Sequence, residues 1–252
     1  MQKQSFTPDN ENETTIDALK QDYFAHLKTM NPRATDEGAY RASCYYYRAE
    51  LLPLLPPDKS LRVLDVGCGF GHLIRFCHEQ GYKRIVGVEI DQELFEAANA
   101  YVGSMAESFI NADAMQFLKE HPCDFDVITL FDVIEHFTLK EAVQISTLIR
   151  EALRPGGIAI FRTPNMANLF GAYSRYLDLT HQYGYTEQSL AQLLRIAGFA
   201  NPPLHLPRWE SGHPLTRRSK LNRWIHRFVI HLQDRSNPRC FEKNIVMWGK
   251  RD

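Results

Sequence analysis

Three glycines in a short window carry the first chemical signal. Leu64-Asp65-Val66-Gly67-Cys68-Gly69-Phe70-Gly71 joins a β-rich apolar run to a helical pattern. Side-chain-free positions at such a turn let a ligand lie against the backbone near a helix N-terminus, where N–H groups have no partner within the helix. The spacing departs from the G-x-G-x-x-G of dinucleotide folds, because Gly71 comes two after Gly69 and His72 follows. Alone, the turn licenses only a nucleotide-type cofactor. Glu89 closes the next apolar run, 24 residues after Asp65, where a carboxylate can accept both hydroxyls of a ribose. Asn111-Ala112-Asp113-Ala114 follows a third run, and a carboxylate there could meet an adenine amino group. The fourth run, Phe125-Asp126-Val127-Ile128-Thr129-Leu130-Phe131, delivers Asp132 to the edge of the sheet where ligands bind in open α/β folds.

A second constellation could do the reaction chemistry. Asp132-Val133-Ile134-Glu135-His136 holds three potential ligands within five residues, and Asp178-Leu179-Thr180-His181 adds a second histidine before a later helix. Carboxylate and imidazole ligands can hold a hard cation such as Mg2+ or Mn2+, which lowers the pKa of a bound hydroxyl. Group transfer to a hydroxyl oxygen needs such activation, because an alcohol is a poor nucleophile. Two other readings stay open: His136 or His181 as a metal-free general base, or an Asp-x-x-Glu-His segment that merely caps the next helix with Glu135 in solvent.

From Leu61 to Asn165 these four ordered motifs resemble the class I S-adenosylmethionine (SAM)-dependent methyltransferases, and Leu153-Arg154-Pro155-Gly156-Gly157 is similar to that family's turn before the fifth strand. The resemblance implies that Asp65, Gly67 and Gly69 face the methionine part of SAM, Glu89 the ribose and Asp113 the adenine. It adds Cys68, Ile90, Ala114 and Phe131 to the cofactor contacts. The acid-x-x-Glu-His set with a later histidine resembles the metal-binding residues of small-RNA 2′-O-methyltransferases and ubiquinone-pathway O-methyltransferases. Those families commonly have Glu where this chain has the shorter Asp132. The run Thr180 to Phe199 looks like methyltransferases of bacterial surface-polysaccharide pathways. Together these imply transfer of a methyl group to a hydroxyl of a glycan or small metabolite, with Asp132, Glu135, His136 and His181 as the reactive or metal-holding centre. The alternatives are a nitrogen or RNA ribose acceptor, or a non-catalytic SAM- or nucleotide-binding subunit.

The elements that must position these residues alternate in type. Strands are expected at Leu61–Val66, Arg84–Glu89, Ser108–Ile110, Phe125–Phe131, Gly157–Thr163 and Asn244–Gly249. Helices are expected from Ile16 to Met30, Glu37 to Leu52, after Gly71 to Gln80, and over Gln92–Tyr101, Leu139–Leu153 and Thr186–Ala197. Thr186 should cap the last of these and Gly198 end it, with Leu190, Leu193 and Leu194 buried. Strand–helix alternation means a parallel sheet covered on both faces. With the resemblance, the expected fold is a Rossmann-like, doubly wound, mostly parallel seven-stranded sheet with an antiparallel last strand. Residues 1–14 read as a disordered tail, 15–57 as an N-terminal helical lid, and 58–252 as the catalytic domain with a basic helical insertion at about 212–236.

Composition adds limits. A net charge of −1 over 252 residues provides no global field for nucleic acid. Five scattered cysteines without a CxxC pair argue against a disulfide framework and a thiolate zinc site. A polar N-terminus and the lack of an apolar run near the ~18 residues of a membrane span lead us to expect a cytoplasmic protein. Tyr45-Tyr46-Tyr47, with Tyr40 and Arg41 a turn earlier, can wall a substrate. Leu221, Trp224, Ile225, Phe228 and Leu232 repeat at helical spacing among basic residues, a pattern suited to packing on its own domain, to a homodimer contact, or to the inner surface of a membrane.

Overall fold

The computed structural model describes residues 23–30, 32, 34–208, 214–232 and 239–252, with backbone alone for 214–219. The expected tail, residues 16–22 of the first helix, and residues 212, 213 and 233–236 of the insertion lie outside them. Among the described residues, two helices precede the sheet, α1 (Tyr23–Met30) and α2 (Glu37–Glu50). Then follow β1 (Arg62–Val66), α3 (His72–Glu79), β2 (Arg84–Glu89), α4 (Gln92–Val102), β3 (Ser108–Asn111) and α5 (Ala114–Glu120). The second half holds β4 (Phe125–Phe131), α6 (Leu139–Ala152), β5 (Leu153–Pro164), α7 (Gly171–Tyr176), α8 (Glu187–Ile196), β6 (Leu204–His205), α9 (Pro214–Leu232) and β7 (Asn244–Lys250).

The strand order is β3-β2-β1-β4-β5-β7-β6. All pairings from β3 to β5 are parallel, and β7 runs antiparallel between β5 and β6. The chain winds outward from β1 to β3 and then crosses to β4 on the other side of β1. That reversal opens a crevice at the carboxyl ends of β1 and β4, the usual ligand position in such sheets.

Alternation within the strands builds two cores. Leu64, Val66, Ile128, Leu130, Ala159, Phe161, Ile245 and Met247 pack against Phe117 of α5, Ile145 and Ile149 of α6, and Leu190 and Leu194 of α8. Val63, Val127, Ile160 and Val246 point the other way, toward Tyr40 and Tyr47 of α2, Ile74 and Phe76 of α3, and Val102. Each side chain in these sets is at least nine-tenths buried, so a one-residue slip of any inner strand would exchange the two cores.

Local signals set the helix ends. Thr138 and Glu141 form a capping box at α6, and Thr186 with Ser189 forms one at α8. Gly198, at φ +92°, donates to the Arg195 carbonyl while Phe199 donates to that of Leu194, closing α8 with a Schellman turn. Three elements escape the periodicity reading. The seven-residue α5 and six-residue α7 are too short for a helical stripe, and the two-residue β6 for an alternation. The fifth strand also starts at Leu153 rather than Gly157, since Phe125 pairs with Leu153 across a register shift that takes in the Pro155–Gly157 turn.

Candidate active site

The glycine turn forms a shelf after β1. Gly67 and Gly69 have φ +68° and +51°, a region that disfavours side chains. A Cβ on Gly67 would lie 2.5 Å from Val133 Cγ2, whereas one on Gly69 would meet nothing within 4 Å. The shelf is therefore packed from below at Gly67 and open above Gly69. Glu89 holds it in shape: its Oε2 accepts the Gly69 amide at 2.9 Å and its Oε1 the Asp91 amide at 3.1 Å. Burial raises the Glu89 pKa, and the two amides oppose that shift. Asp65 is also buried, takes a 2.8 Å hydrogen bond from the Thr129 hydroxyl, and is pushed up to about 7 by burial.

The outer part of the shelf is more exposed. Asp113 caps α5, its Oδ1 accepting the Gln116 amide at 2.9 Å, so one carboxylate oxygen serves the fold. Ala114 is the first residue of α5, Ile90 is exposed at the end of β2, and Cys68 is buried in the turn itself. Phe131 is buried under the guanidinium of Arg162, 4.6 Å from the ring centroid.

Past β4 the chain makes a tight 3-10 turn, Ile134–His136. The backbone carbonyl of Glu135 accepts the amides of Gln182 and Tyr183, at 2.7 and 3.1 Å. Those two bonds tie the distant His181 loop to the turn. Glu135, His136 and His181 each present one ligand atom, all within 4.8 Å of one another, and the two imidazole centroids are 4.7 Å apart.

The hydrogen bonds define both tautomers. Thr180 Oγ1 donates to Asp178 Oδ1 at 2.7 Å, so it must accept from His136 Nδ1, also at 2.7 Å. His181 Nδ1 donates to the Ser174 carbonyl at 3.1 Å. Each Nε2 is then a lone pair with its ring held by an outer partner, the arrangement that orients metal-ligating histidines. Burial, with His181 adding to it, pulls the His136 pKa below the usual imidazole range. Glu135 accepts from the Thr163 hydroxyl through Oε2 at 3.0 Å, while its buried Oε1 has no hydrogen-bond partner among the described residues. Burial, with the charge of Asp132 adding to it, raises the Glu135 pKa.

Asp132, expected with these ligands, is not in the cluster. It adopts φ +55°, and its carboxylate pairs with Arg162, which also binds the buried Glu50 at 3.2 Å. The short side chain turns toward β5 instead of toward the histidines. The helix-cap reading of Glu135 does not hold either, since Thr138 and Glu141 cap α6 and Glu135 is buried.

Sequence reasoning did not single out Thr180, Asp178, Glu50, Arg162 or Tyr23. Tyr23 sits edge-on to His136 at 5.6 Å, and Phe24 lies 6.4 Å from Phe70 of the glycine turn. Burial and then the charges of Asp178, Glu89 and Glu135 raise the Tyr23 pKa. A cavity of about 220 Å³ adjoins the cluster, lined by Tyr46, Tyr47, Asp132, Arg162, His181 and Asn244 among others. Of the three consecutive tyrosines, Tyr45 is buried without lining it.

The model of a family described as a methyltransferase domain matches residues 39–203. A ubiquinone biosynthesis O-methyltransferase of Pseudoalteromonas translucida (strain TAC 125) is 26% identical over 182 residues, covering 68% of this chain and 75% of that protein. A protein of the same name from Saccharophagus degradans (strain 2-40 / ATCC 43961 / DSM 17024) is 29% identical over 177 residues, 64% of this chain and 71% of its own. Among solved structures, a SAM-dependent methyltransferase from Archaeoglobus fulgidus superposes with a TM-score of 0.63 at 19% identity, over 90% of this chain and 99% of that one. That last likeness is one of fold.

Proposed function

The chain belongs to the methyltransferase-domain family, and on that premise we propose that this SAM-dependent enzyme methylates a hydroxyl oxygen of a small molecule or glycan, using a divalent cation held by Glu135, His136 and His181. The observation that carries the proposal is the cluster itself: two histidines with their Nδ1 hydrogens engaged, beside a buried carboxylate whose Oε1 lacks a partner among the described residues. A buried, unpartnered carboxylate oxygen is costly unless a positive charge meets it. Two imidazoles and one carboxylate suit a first-row ion such as Mn2+ better than Mg2+, which prefers oxygen ligands, and such an ion would lower the pKa of a hydroxyl there. The two relatives named for ubiquinone biosynthesis O-methylation support oxygen as the acceptor atom.

SAM fits the shelf on charge and on space. Its sulfonium and ammonium groups are cationic, the cleft holds the buried carboxylates Asp65 and Glu89, and the backbone above Gly69 is open. Bound there, the cofactor supplies a methyl group already activated by positive sulfur. In this reading Glu89 accepts the ribose hydroxyls, Asp65 the amino group, and the free oxygen of Asp113 the adenine. Tyr23 and Phe24 close α1 over the cleft as a lid, excluding water, while Tyr46 and Tyr47 wall the acceptor. The metal route is favoured over His136 as sole base, because an imidazole held below its usual range is a weak proton acceptor.

Labelled methyl transfer from SAM to matched hydroxyl and amine acceptors tests the assignment. Product on hydroxyls, lost after EDTA treatment and restored by Mg2+ or Mn2+, is expected. Label on amines alone would overturn the oxygen assignment, and full activity after chelation would remove the metal.

A further inference from the structure

On α9 a row of apolar side chains faces away from the fold. Leu221, Trp224, Phe228 and Leu232 are each more than half exposed, at 58, 64, 53 and 68%, and Ile225 lies in the same stripe. Spacings of three and four residues put them on one face, with the Trp224 and Phe228 rings stacked at 5.9 Å. Monomeric proteins seldom leave a large apolar patch uncovered.

The helix is held from its other side. His226 is fully buried, and its Nε2 accepts the Leu169 amide at 2.8 Å while its Nδ1 donates to the Asn222 carbonyl at 2.7 Å. Asn222 in turn donates to the Phe241 carbonyl at 3.2 Å. The bond to Leu169 also sets α9 against the start of α7, where Leu169 and Phe170 are exposed. Leu177, just after α7, lines the cavity beside the histidine pair. The inner face of α9 is thus fixed by hydrogen bonds, and the outward stripe is held in place with it.

Charge identifies what fits it. The 19 residues Pro214–Leu232 include Arg217, Arg218, Lys220, Arg223 and Arg227 and no acidic residue, in a chain of net charge −1. Helical geometry places Lys220, Arg223 and Arg227 along one flank of the stripe, with Arg223 reaching Glu242 at 3.3 Å. We propose that this face of α9 docks onto an anionic lipid bilayer, with Trp224 and Phe228 entering the headgroup boundary and the basic flank meeting lipid phosphates. An apolar stripe beside a cationic flank is the composition of a helix that lies in a membrane interface. A second copy of the chain is the poorer occupant, because an antiparallel two-fold pairing of this face sets two cationic flanks against each other. The docking surface does not depend on which acceptor the enzyme methylates.

The test is co-sedimentation of the full chain with vesicles of phosphatidylglycerol mixed into phosphatidylcholine, against phosphatidylcholine alone. Preferential binding to the anionic vesicles, weakened by salt, is expected. Replacing both exposed aromatics, Trp224→Ser with Phe228→Ser, should lower vesicle binding by about tenfold or more while leaving SAM binding and the melting temperature unchanged. Lys220→Gln with Arg227→Gln should remove the anionic preference without touching an apolar contact. Equal binding to both vesicle types, or undiminished binding by the aromatic double variant, would overturn the proposal. So would a solution dimer that the aromatic substitutions split into monomers, for then a second copy covers the stripe.

Discussion

Thr180→Val tests the reasoning behind the histidine cluster with the least disturbance. Valine keeps the shape of threonine and removes only the hydroxyl. Two 2.7 Å hydrogen bonds go with it, Thr180 Oγ1 to Asp178 Oδ1 and His136 Nδ1 to Thr180 Oγ1. Asp178 keeps the Thr180 amide at 2.8 Å, so its carboxylate stays satisfied. His136 has no such reserve, and its Nδ1 hydrogen is left in a half-buried site facing a methyl group. An unmade hydrogen bond of this kind costs about 1–3 kcal/mol, so the variant should fold and melt a few degrees lower. Loss of an outer partner from a ligating histidine typically costs about 10–100-fold in metal affinity or activity. Calorimetric titration of the apo-protein with Mn2+ should show that loss, and Thr180→Ser should recover most of it. Unchanged Mn2+ affinity in Thr180→Val would refute the tautomer argument, and with it the claim that His136 presents Nε2 to a cation.

Three further outcomes follow from the shelf and the buried acids. Gly69→Ala, whose Cβ meets nothing in the protein, should cost only about 1 kcal/mol of backbone strain yet lower SAM affinity by about tenfold or more by filling the cofactor's space. Gly67→Ala should instead destabilise the fold, because its Cβ falls 2.5 Å from Val133 Cγ2; thermal melts and SAM calorimetry on the pair would separate the two effects, and equal behaviour would contradict this picture. Glu89→Gln should weaken SAM binding by about tenfold or more, since hydrogen bonds to a charged acceptor contribute about 1.5–3 kcal/mol; undiminished affinity would take Glu89 out of the cofactor site. Burial pushes Glu50 from 4.5 up to about 7, so the folded protein keeps a proton there that the unfolded chain has already lost. Stability should therefore fall across that window, by up to about 3 kcal/mol from this group, and melting curves should show a shallower decline in Glu50→Gln; parallel slopes would refute it.

Much of the fold is legible along the chain because its signals are local. Apolar alternation, the glycine turn and the Thr and Gly helix ends each depend on a few neighbouring residues, and β2 and β4 span the residues their sequence patterns mark. The glycine shelf proposed for the cofactor is legible for the same reason, since Asp65, Gly67, Gly69 and Glu89 lie at the ends of two adjacent strands, and strand ends can be counted. The reactive side is only half legible. Glu135 and His136 are adjacent in sequence, but His181 reaches them because one carbonyl, that of Glu135, accepts two amides from a loop more than forty residues away.

Nothing in the local pattern tells Asp132 from a metal ligand. Its direction follows from a left-handed backbone angle and from Arg162, a neighbour on the next strand that is buried and must be paired. Thr180 and Asp178 acquire meaning only when His136 is packed beside them, and Tyr23 only when α1 lies across the cleft. Sequence by itself determined the type of element at most positions, because that rests on short-range periodicity, and its resemblance to a known family pointed to the class of cofactor. Tertiary structure alone decided which polar groups share a site and which nitrogen of each histidine is free. Those are properties of buried atoms that must find hydrogen-bond partners, and the partners come from distant parts of the chain.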